Sequence, residues 1–161
     1  MTRAALLVIA LAMGCNGETT ETETDTETVA QMVAHLMGEG MAPFDAVNAT
    51  LARITGAFAL VFLFEDHPDL LIAARHGSPL AIGWGEDEMF VGSDAIALSP
   101  MTAEITYLEE GDRAVLTRSG AQVFDAAGEP VNRARRQVAV EQSMVEKGGY
   151  KHFMAKEIQE Q

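Results

Sequence analysis

The sequence predicts an α+β fold in which two helices precede a run of strands joined by turns. Three observations predict it. An amphipathic periodicity ends near Gly38, a second periodic segment runs from Pro43 to Gly56, and four short strand-like runs follow one another between Gly56 and Leu98. Helices ahead of strands can stack on one face of a sheet, as a layered α+β domain requires.

The first helix is predicted to begin at Thr24, because Thr24 and Glu27 have the spacing of a capping box ahead of an apolar run. His35 lies on the flank of the apolar face, and we interpret it as a partly exposed helix residue, since no second metal ligand stands at helical spacing. The face itself has apolar residues at positions i, i+3, i+4, i+7 and i+8: Val29, Met32, Val33, Leu36 and Met37.

A second helix is predicted from Pro43, which suits the first turn of a helix, to Gly56, which stops it. Its apolar residues repeat at intervals of three and four: Phe44, Val47, Leu51 and Ile54.

The strand from Ala57 to Phe64 is apolar at odd and even positions alike, which indicates a strand covered on both faces. A tight turn is predicted at Asp66 to Asp69, followed by a strand from Leu70 to Arg75. The strands Leu80 to Gly83 and Met89 to Val91 are separated by a polar hairpin connection, and a helix-like segment ends the run near Leu98.

Beyond Leu98 the pattern predicts further strands at Ile105 to Leu108, Ala114 to Thr117 and Gln122 to Asp125, with a turn toward Val131. Residues 134–147 are polar and weakly periodic, so we expect a loop or a short helix there. Residues 152–161 carry Phe153, Met154 and Ile158 at helical spacing without a cap, which indicates a helix that continues beyond the chain.

The first seventeen residues resemble a bacterial lipoprotein signal. Arg3 precedes an apolar run from Ala4 to Met13, and Cys15 follows. The run is too short to span a bilayer, which needs about 20 apolar residues, but its length fits a signal peptide. The alternative interpretation is a buried strand or an accidental gene start.

Composition limits the function. The chain has 161 residues, 48% of them apolar, and a net charge of −13, which suits one folded domain and disfavours binding to a phosphate backbone. Its single cysteine, Cys15, excludes an intrachain disulfide and a cysteine-based zinc cluster. We predict no cofactor, no metal and no nucleic-acid partner.

Six collinear stretches resemble the glutaminase domain of glutamine–fructose-6-phosphate aminotransferases (isomerizing), which are class II glutamine amidotransferases. They are Glu23 to Glu27, Gly56 to Leu60, Ala74 to Leu80, Phe90 to Asp94, Tyr107 to Asp112 and Lys147 to Ile158. The resemblance makes residues 21–161 a partial domain of this class and residues 1–20 a divergent N-terminus.

The resemblance implies the C-terminal portion of a four-layer αββα sandwich of the N-terminal-nucleophile (Ntn) hydrolase type. It implies a partial glutaminase domain, whose parent makes glucosamine 6-phosphate from fructose 6-phosphate and glutamine. The family's catalytic N-terminal cysteine, the first half of the domain and the isomerase domain have no counterpart in the sequence. We therefore expect a fragment that is inactive alone, with an uncovered apolar sheet surface. The alternative is a non-enzymatic lipoprotein or scaffold built on this type of domain.

Asp25 is the predicted substrate-binding residue. The resemblance implies that the aspartate of the Glu-Thr-Asp-Thr-Glu motif binds the α-amino group of the substrate glutamine. No catalytic residue is predicted. Asn16-Gly17 resembles the family's oxyanion-hole pair, but it lies too close to Asp25 in the chain. Cys15 has no predicted adjacent base to activate it.

A Ser-His-Asp triad of Ser93, Asp94 and His76 is disfavoured, because the sequence has no Gly-x-Ser-x-Gly elbow. The predicted partners are glutamine, through the parent enzyme, and either a second copy or the missing half of the domain. The predicted location is cytoplasmic. A lipid anchor through Cys15 is the alternative, and only then would the chain contact a membrane.

Overall fold

The computed structural model describes residues 6–10 and 22–138, with residues 6–10 and 22–25 given by their backbone alone. Three helices are present in this part of the chain: α1 (Thr22–Gly38), α2 (Pro43–Leu51) and α3 (Ala95–Leu98). The strands are β1 (Leu6–Ala10), β2 (Phe58–Phe64), β3 (His67–His76), β4 (Ala81–Trp84), β5 (Met89–Gly92), β6 (Glu104–Tyr107), β7 (Arg113–Thr117), β8 (Gly120–Phe124), β9 (Pro130–Val131) and β10 (Arg136–Gln137).

The strands form two antiparallel sheets. The six-stranded sheet has the order β1-β2-β3-β7-β8-β9, and the four-stranded sheet has the order β10-β6-β4-β5. Every pairing between these strands is antiparallel. The α+β class predicted from the sequence is therefore confirmed.

Helices α1 and α2 cover one face of the six-stranded sheet. Val33 of α1 and Val47 of α2 are fully buried in one core cluster with Phe62 of β2 and Ile72 of β3. The apolar stripe of α1 faces this sheet, and its flank carries His35, whose side chain is 73% exposed and lies 3.6 Å from Glu39. Both the stacking of the helices and the exposure of His35 agree with the sequence prediction.

The helix boundaries differ from the prediction at two points. α1 begins at Thr22, so Thr24 and Glu27 lie inside the helix and do not mark its start. α2 ends at Leu51 and continues as a turn, in which the Ile54 amide donates to the Leu51 carbonyl, so the periodic pattern outlasts the helix. The apolar pattern extends past the end of the helix because the turn after Leu51 keeps Ile54 packed against the same core.

Strand β2 is covered on both faces, as predicted. Its buried residues run without interruption from Ala59 to Phe62. Leu60 and Phe62 face the helices, whereas Ala59 belongs to the core between the sheets. A continuous apolar run is typical of such a strand.

The turn after β2 is shorter than predicted. The structure places it at Glu65 and Asp66, and β3 already begins at His67. The register shifts between Leu63 and Phe64, and Pro68 lies in β3 beside this irregularity. A proline is tolerated there because a bulge removes the need for its missing N–H in the ladder.

The two sheets pack face to face. One buried cluster combines Ala73 of β3 and Leu116 of β7 with Ile82 of β4 and with Leu80, which directly precedes β4. The expectation that these strands would leave an inner apolar sheet surface uncovered is therefore wrong. The chain's own strands β4, β5, β6 and β10 form the second sheet.

The outer face of the four-stranded sheet carries α3. Leu98 is fully buried against Ala81 and Ile105, and Val138 packs at the margin of this cluster. Among residues 134–138, Arg136 and Gln137 form the short strand β10, where a loop or short helix was predicted. The predictions for residues 139–147 and 152–161 lie outside the described residues.

Strand β1 pairs with β2, which agrees with the strand interpretation of the N-terminal apolar run. Residues 1–5 and 11–21 lie outside the described residues, so the signal interpretation and the lipidation of Cys15 stay predictions. Among the residues that the structure describes, no helix is both long and apolar enough to cross a bilayer.

Candidate functional site

Asp25, the predicted substrate-binding residue, is the fourth residue of α1. The helix that carries it packs against β1 and α2. A carboxylate close to a helix N-terminus interacts favourably with the helix dipole. The structure thus gives the backbone position of Asp25, and its role in substrate binding stays a prediction. Cys15, Asn16 and Gly17 lie outside the described residues.

Two of the family-like stretches meet where the two sheets join. We call this place the joint; it consists of residues 75–78 at the end of β3, residues 108–112 between β6 and β7, and Arg133. The Arg75 amide donates to the Asp112 carbonyl at 3.0 Å, and the Arg75 Nη1 donates to the Leu108 carbonyl. The Leu108 amide donates to the carbonyl of Leu80 at 3.0 Å. These bonds fix the connection between β6 and β7 against the end of β3.

Glu110 holds the exposed side of the joint. Its carboxylate accepts from the Gly77 amide at 2.9 and 3.1 Å, and its Oε1 lies 2.9 Å from His76 Nδ1. Gly77 has a φ of +71°, and a Cβ there would lie 2.5 Å from the Cβ of Ala57. Only glycine suits both the backbone conformation and the close approach.

Asp112 holds the buried side of the joint and has no exposed surface. It accepts from Arg133 Nε at 2.9 Å and Nη2 at 2.8 Å, and from the Glu109 amide at 2.7 Å. Arg133 Nη1 also lies 2.8 Å from the Glu109 carboxylate. The hydrogen bonds that Arg133 donates to Asp112 raise the pKa of Arg133 above its ordinary value, although burial acts in the opposite direction. Asp112 is therefore a buried carboxylate with a bidentate cationic partner.

The role of Arg133 was missed from the sequence. Its partner Asp112 lies 21 residues earlier in the chain, and no motif links the two positions. The only available signal was the presence of an aspartate after the Gly111 turn, where the family-like stretch ends. The joint thus has a structural role, since it holds the β6–β7 connection against the end of β3. The Asp112 carboxylate is already hydrogen-bonded to Arg133.

Ser93, Asp94 and His76 do not form a catalytic triad in the structure. Asp94 Oδ1 accepts from the Ala97 amide at 2.8 Å and so caps α3. His76 bonds to Glu110, and Ser93 is buried. Within residues 6–10 and 22–138 no group of three His, Cys, Asp or Glu side chains is placed to hold a metal ion.

A cavity with a volume of about 590 Å³ lies beside Trp84. The guanidinium of Arg135 lies 3.5 Å from the centre of the Trp84 ring and pairs with Glu104 at 3.3 Å. Trp84 Nε1 donates to Thr106 at 2.9 Å. None of the described residues that line this cavity belongs to α1 or to the joint, so it is not the predicted substrate site.

Sequence comparison gives close relatives of one kind. The chain is 53% identical over 146 residues to a protein of Bradyrhizobium diazoefficiens, 50% identical over 149 residues to one of Agrobacterium fabrum, and 50% identical over 145 residues to one of Caulobacter vibrioides. Each of the three is named glutamine–fructose-6-phosphate aminotransferase (isomerizing).

These matches cover between 90% and 92% of this chain but 24% of each relative. The chain therefore spans about a quarter of the length of the curated relatives that it matches. No protein-family profile matches the chain.

Proposed function

Since this chain is homologous to a quarter-length segment of glutamine–fructose-6-phosphate aminotransferases (isomerizing), we propose that it forms the C-terminal portion of a glutaminase domain. The parent activity is the synthesis of glucosamine 6-phosphate from fructose 6-phosphate and glutamine. The observation that carries the proposal is the identity of 53% over 91% of the chain. The alternative of a scaffold or lipoprotein is not favoured, because all three relatives carry the aminotransferase name.

The order of layers supports an αββα sandwich of the Ntn type. Helices α1 and α2 cover the six-stranded sheet, that sheet packs on the four-stranded sheet, and α3 lies on the outer face of the latter. The family-like stretches at residues 74–80 and 107–112 make the joint between the sheets. Within the proposed domain, most of this chain is therefore scaffold.

Asp25 is the proposed point of contact with substrate. Its carboxylate would pair with the α-ammonium group of glutamine, an interaction of opposite charges. The support is the match of residues 23–27 to the family motif and the position of Asp25 near the start of α1. Binding by Asp25 alone would orient the amino acid without activating its amide.

Glutamine hydrolysis also needs a nucleophile activated by a base. The resemblance assigns this role to an N-terminal cysteine whose own α-amino group acts as the base, and none of the six matching stretches contains a counterpart of it. We therefore propose that the chain is silent alone and gains activity only with the segment that supplies this cysteine. In the cytoplasm, which we propose as its location, that segment would be a second polypeptide or another part of a longer protein.

The test is ammonia release from glutamine by the purified chain, with and without a co-expressed segment from the Bradyrhizobium relative that precedes the matched region. We expect no release by the chain alone and release by the co-purified pair. Asp25→Asn in the pair should raise the KM for glutamine at least about tenfold, because a charged contact is lost. Glu27→Gln, two residues further along the same helix, is the matched control.

Two results would overturn this proposal. Ammonia release by the chain alone that survives Cys15→Ala would show that a different nucleophile operates. Failure of the two segments to co-purify, although each is folded, would show that this chain does not complete the domain.

A further inference from the structure

An exposed apolar patch lies on α3 and on the turn that follows it. We call it the α3 patch; it consists of Ile96, Ala97, Pro100 and Met101. All four residues are exposed, Ile96 to 72% and Met101 to 50%. In the part of the chain that the structure describes, three large apolar side chains are exposed, and the α3 patch holds two of them.

The local backbone places the four residues on one side. The Met101 amide donates to the Leu98 carbonyl at 2.9 Å, so the helical turns of α3 continue to Met101. Residues four apart in such turns are neighbours, as Ile96 and Pro100 are and as Ala97 and Met101 are. Leu98, by contrast, is fully buried in the cluster beneath α3. The segment is thus apolar on both sides, and a helix that is apolar all round is normally covered.

The α3 patch carries no charge of its own. Residues 95–103 contain no acidic or basic side chain, although 22% of the whole chain is charged. The carboxylates on either side are already bonded, because Asp94 accepts from the Ala97 amide at 2.8 Å and Glu104 pairs with Arg135 at 3.3 Å. A charge brought onto the patch would therefore lose water without gaining a partner, and an apolar surface is the complementary one.

A second copy of the chain is a poor occupant of the patch. Two copies with a net charge of −13 repel each other. Four exposed residues are also far fewer than the roughly 20–30 residues on each side of a stable protein interface.

The rest of a longer polypeptide is a better occupant. The chain matches 24% of each relative, so most of a relative's length lies outside the matched region. In a relative, that length is held close to the matched region by the same polypeptide. Tethering raises the effective concentration, so a small apolar contact can form there.

We infer that the α3 patch is a docking surface for the segment that precedes the matched region in the relatives. The segment would contact Ile96 and Met101 through an uncharged, apolar surface of its own, and their burial would be the favourable term. This docking rests on the proposed function, because the same segment supplies the cysteine there. It adds the place of contact, which is the outer face of the four-stranded sheet, on the side away from α1 and α2.

The first test is hydroxyl-radical footprinting of the full chain, alone and co-purified with that segment of the Bradyrhizobium relative. Met101 should be oxidised at least about threefold more slowly in the pair, because the docked segment would shield its thioether from the oxidant. Met41, which is exposed between α1 and α2, should react at the same rate in both samples.

Substitutions test the same contact through the affinity of the pair. Ile96→Glu and Ile96→Lys should each weaken binding of the segment at least about tenfold, because either charge would be desolvated without a partner. Met41→Glu is the matched control at an exposed apolar position, and should change the affinity less than about twofold. Circular dichroism shows whether each variant is folded.

The outcomes separate the docking surface from the proposed function. Failure of the wild-type chain to form the pair would overturn both. A pair in which Met101 reacts as fast as in the chain alone, or which Ile96→Glu does not weaken, would overturn the docking surface only. Slow oxidation of Met101 in the chain alone would also overturn it, since a second copy or another part of this chain would then occupy the patch.

Discussion

The two outer faces of this molecule are covered very differently. The six-stranded sheet has helices of 17 and 9 residues on its outer side, and their residues share one large buried cluster with β2 and β3. Within the described residues, the four-stranded sheet is covered by the four-residue α3 alone, which closes over Ala81 and Ile105 through Leu98. Since apolar burial is the main favourable term in folding, the first face should carry most of the stability.

Exposed apolar side chains follow the same division. Ile96 is 72% exposed on α3, and Met101 is 50% exposed in the turn that follows it. Met41, between α1 and α2, is only just exposed at 37%. The thinly covered face is therefore the side on which the described residues retain the most apolar surface.

Truncation of Phe62 should have the largest effect and tests the stronger face directly. The side chain of Phe62, on β2, is fully buried under the helices. Phe62→Ala should therefore lower the free energy of unfolding by about 3–5 kcal/mol. Urea unfolding monitored by circular dichroism measures it. Phe90→Ala, at a half-buried position on the other face, is the control and should cost less. Equal losses would remove the distinction between the faces.

Removal of Asp112 sharpens the comparison, because it loosens the joint between the two sheets without touching either face. Asp112→Ala leaves Arg133 without its buried partner and the Glu109 amide without an acceptor, and should cost about 3 kcal/mol. Amide hydrogen exchange at Glu109 should accelerate. Glu110→Gln, at an exposed position, should stay within about 0.5 kcal/mol of wild type. A similar loss for both variants would contradict this account.

Leu98→Ala should have the smallest effect of the three, although Leu98 is as fully buried as Phe62. We expect a loss of about 2–3 kcal/mol, since a short exposed helix can settle into the vacated space and reduce the cavity. Thermal unfolding measures it, with Ile96→Ala on the exposed side of α3 as the neutral control. A loss larger than that of Phe62→Ala would show that α3 anchors its sheet more firmly than its length indicates.

Most of the secondary structure could be predicted from periodic sequence patterns, because the helix and strand periods are set by residues close together in the sequence. The helices, the apolar strand β2 and the hairpin between β4 and β5 were all predictable in this way. The turn at Glu65 and Asp66 was misplaced because Pro68 is typical of turns, whereas the bulge lets it lie in β3. β10 was missed because its two residues, Arg136 and Gln137, depend for their conformation on pairing with β6.

The candidate sites divide along the same line. Asp25 could be named from a local motif, and its position in α1 follows from the helix pattern. The pairing of Asp112 with Arg133 could not, because it arises where segments distant in the sequence meet.

Strand β1 has a consequence for the time course of folding. Ala10 pairs with Leu60 and Leu6 with Phe64, so about fifty residues of chain must be brought back before this ladder can form. The hairpins β2–β3, β4–β5 and β7–β8 close over only a few residues. Loop-closure entropy grows with the length of the loop, and nonlocal pairings form slowly. Among the described strands, β1 comes first in chain order, and we expect it to join its sheet last.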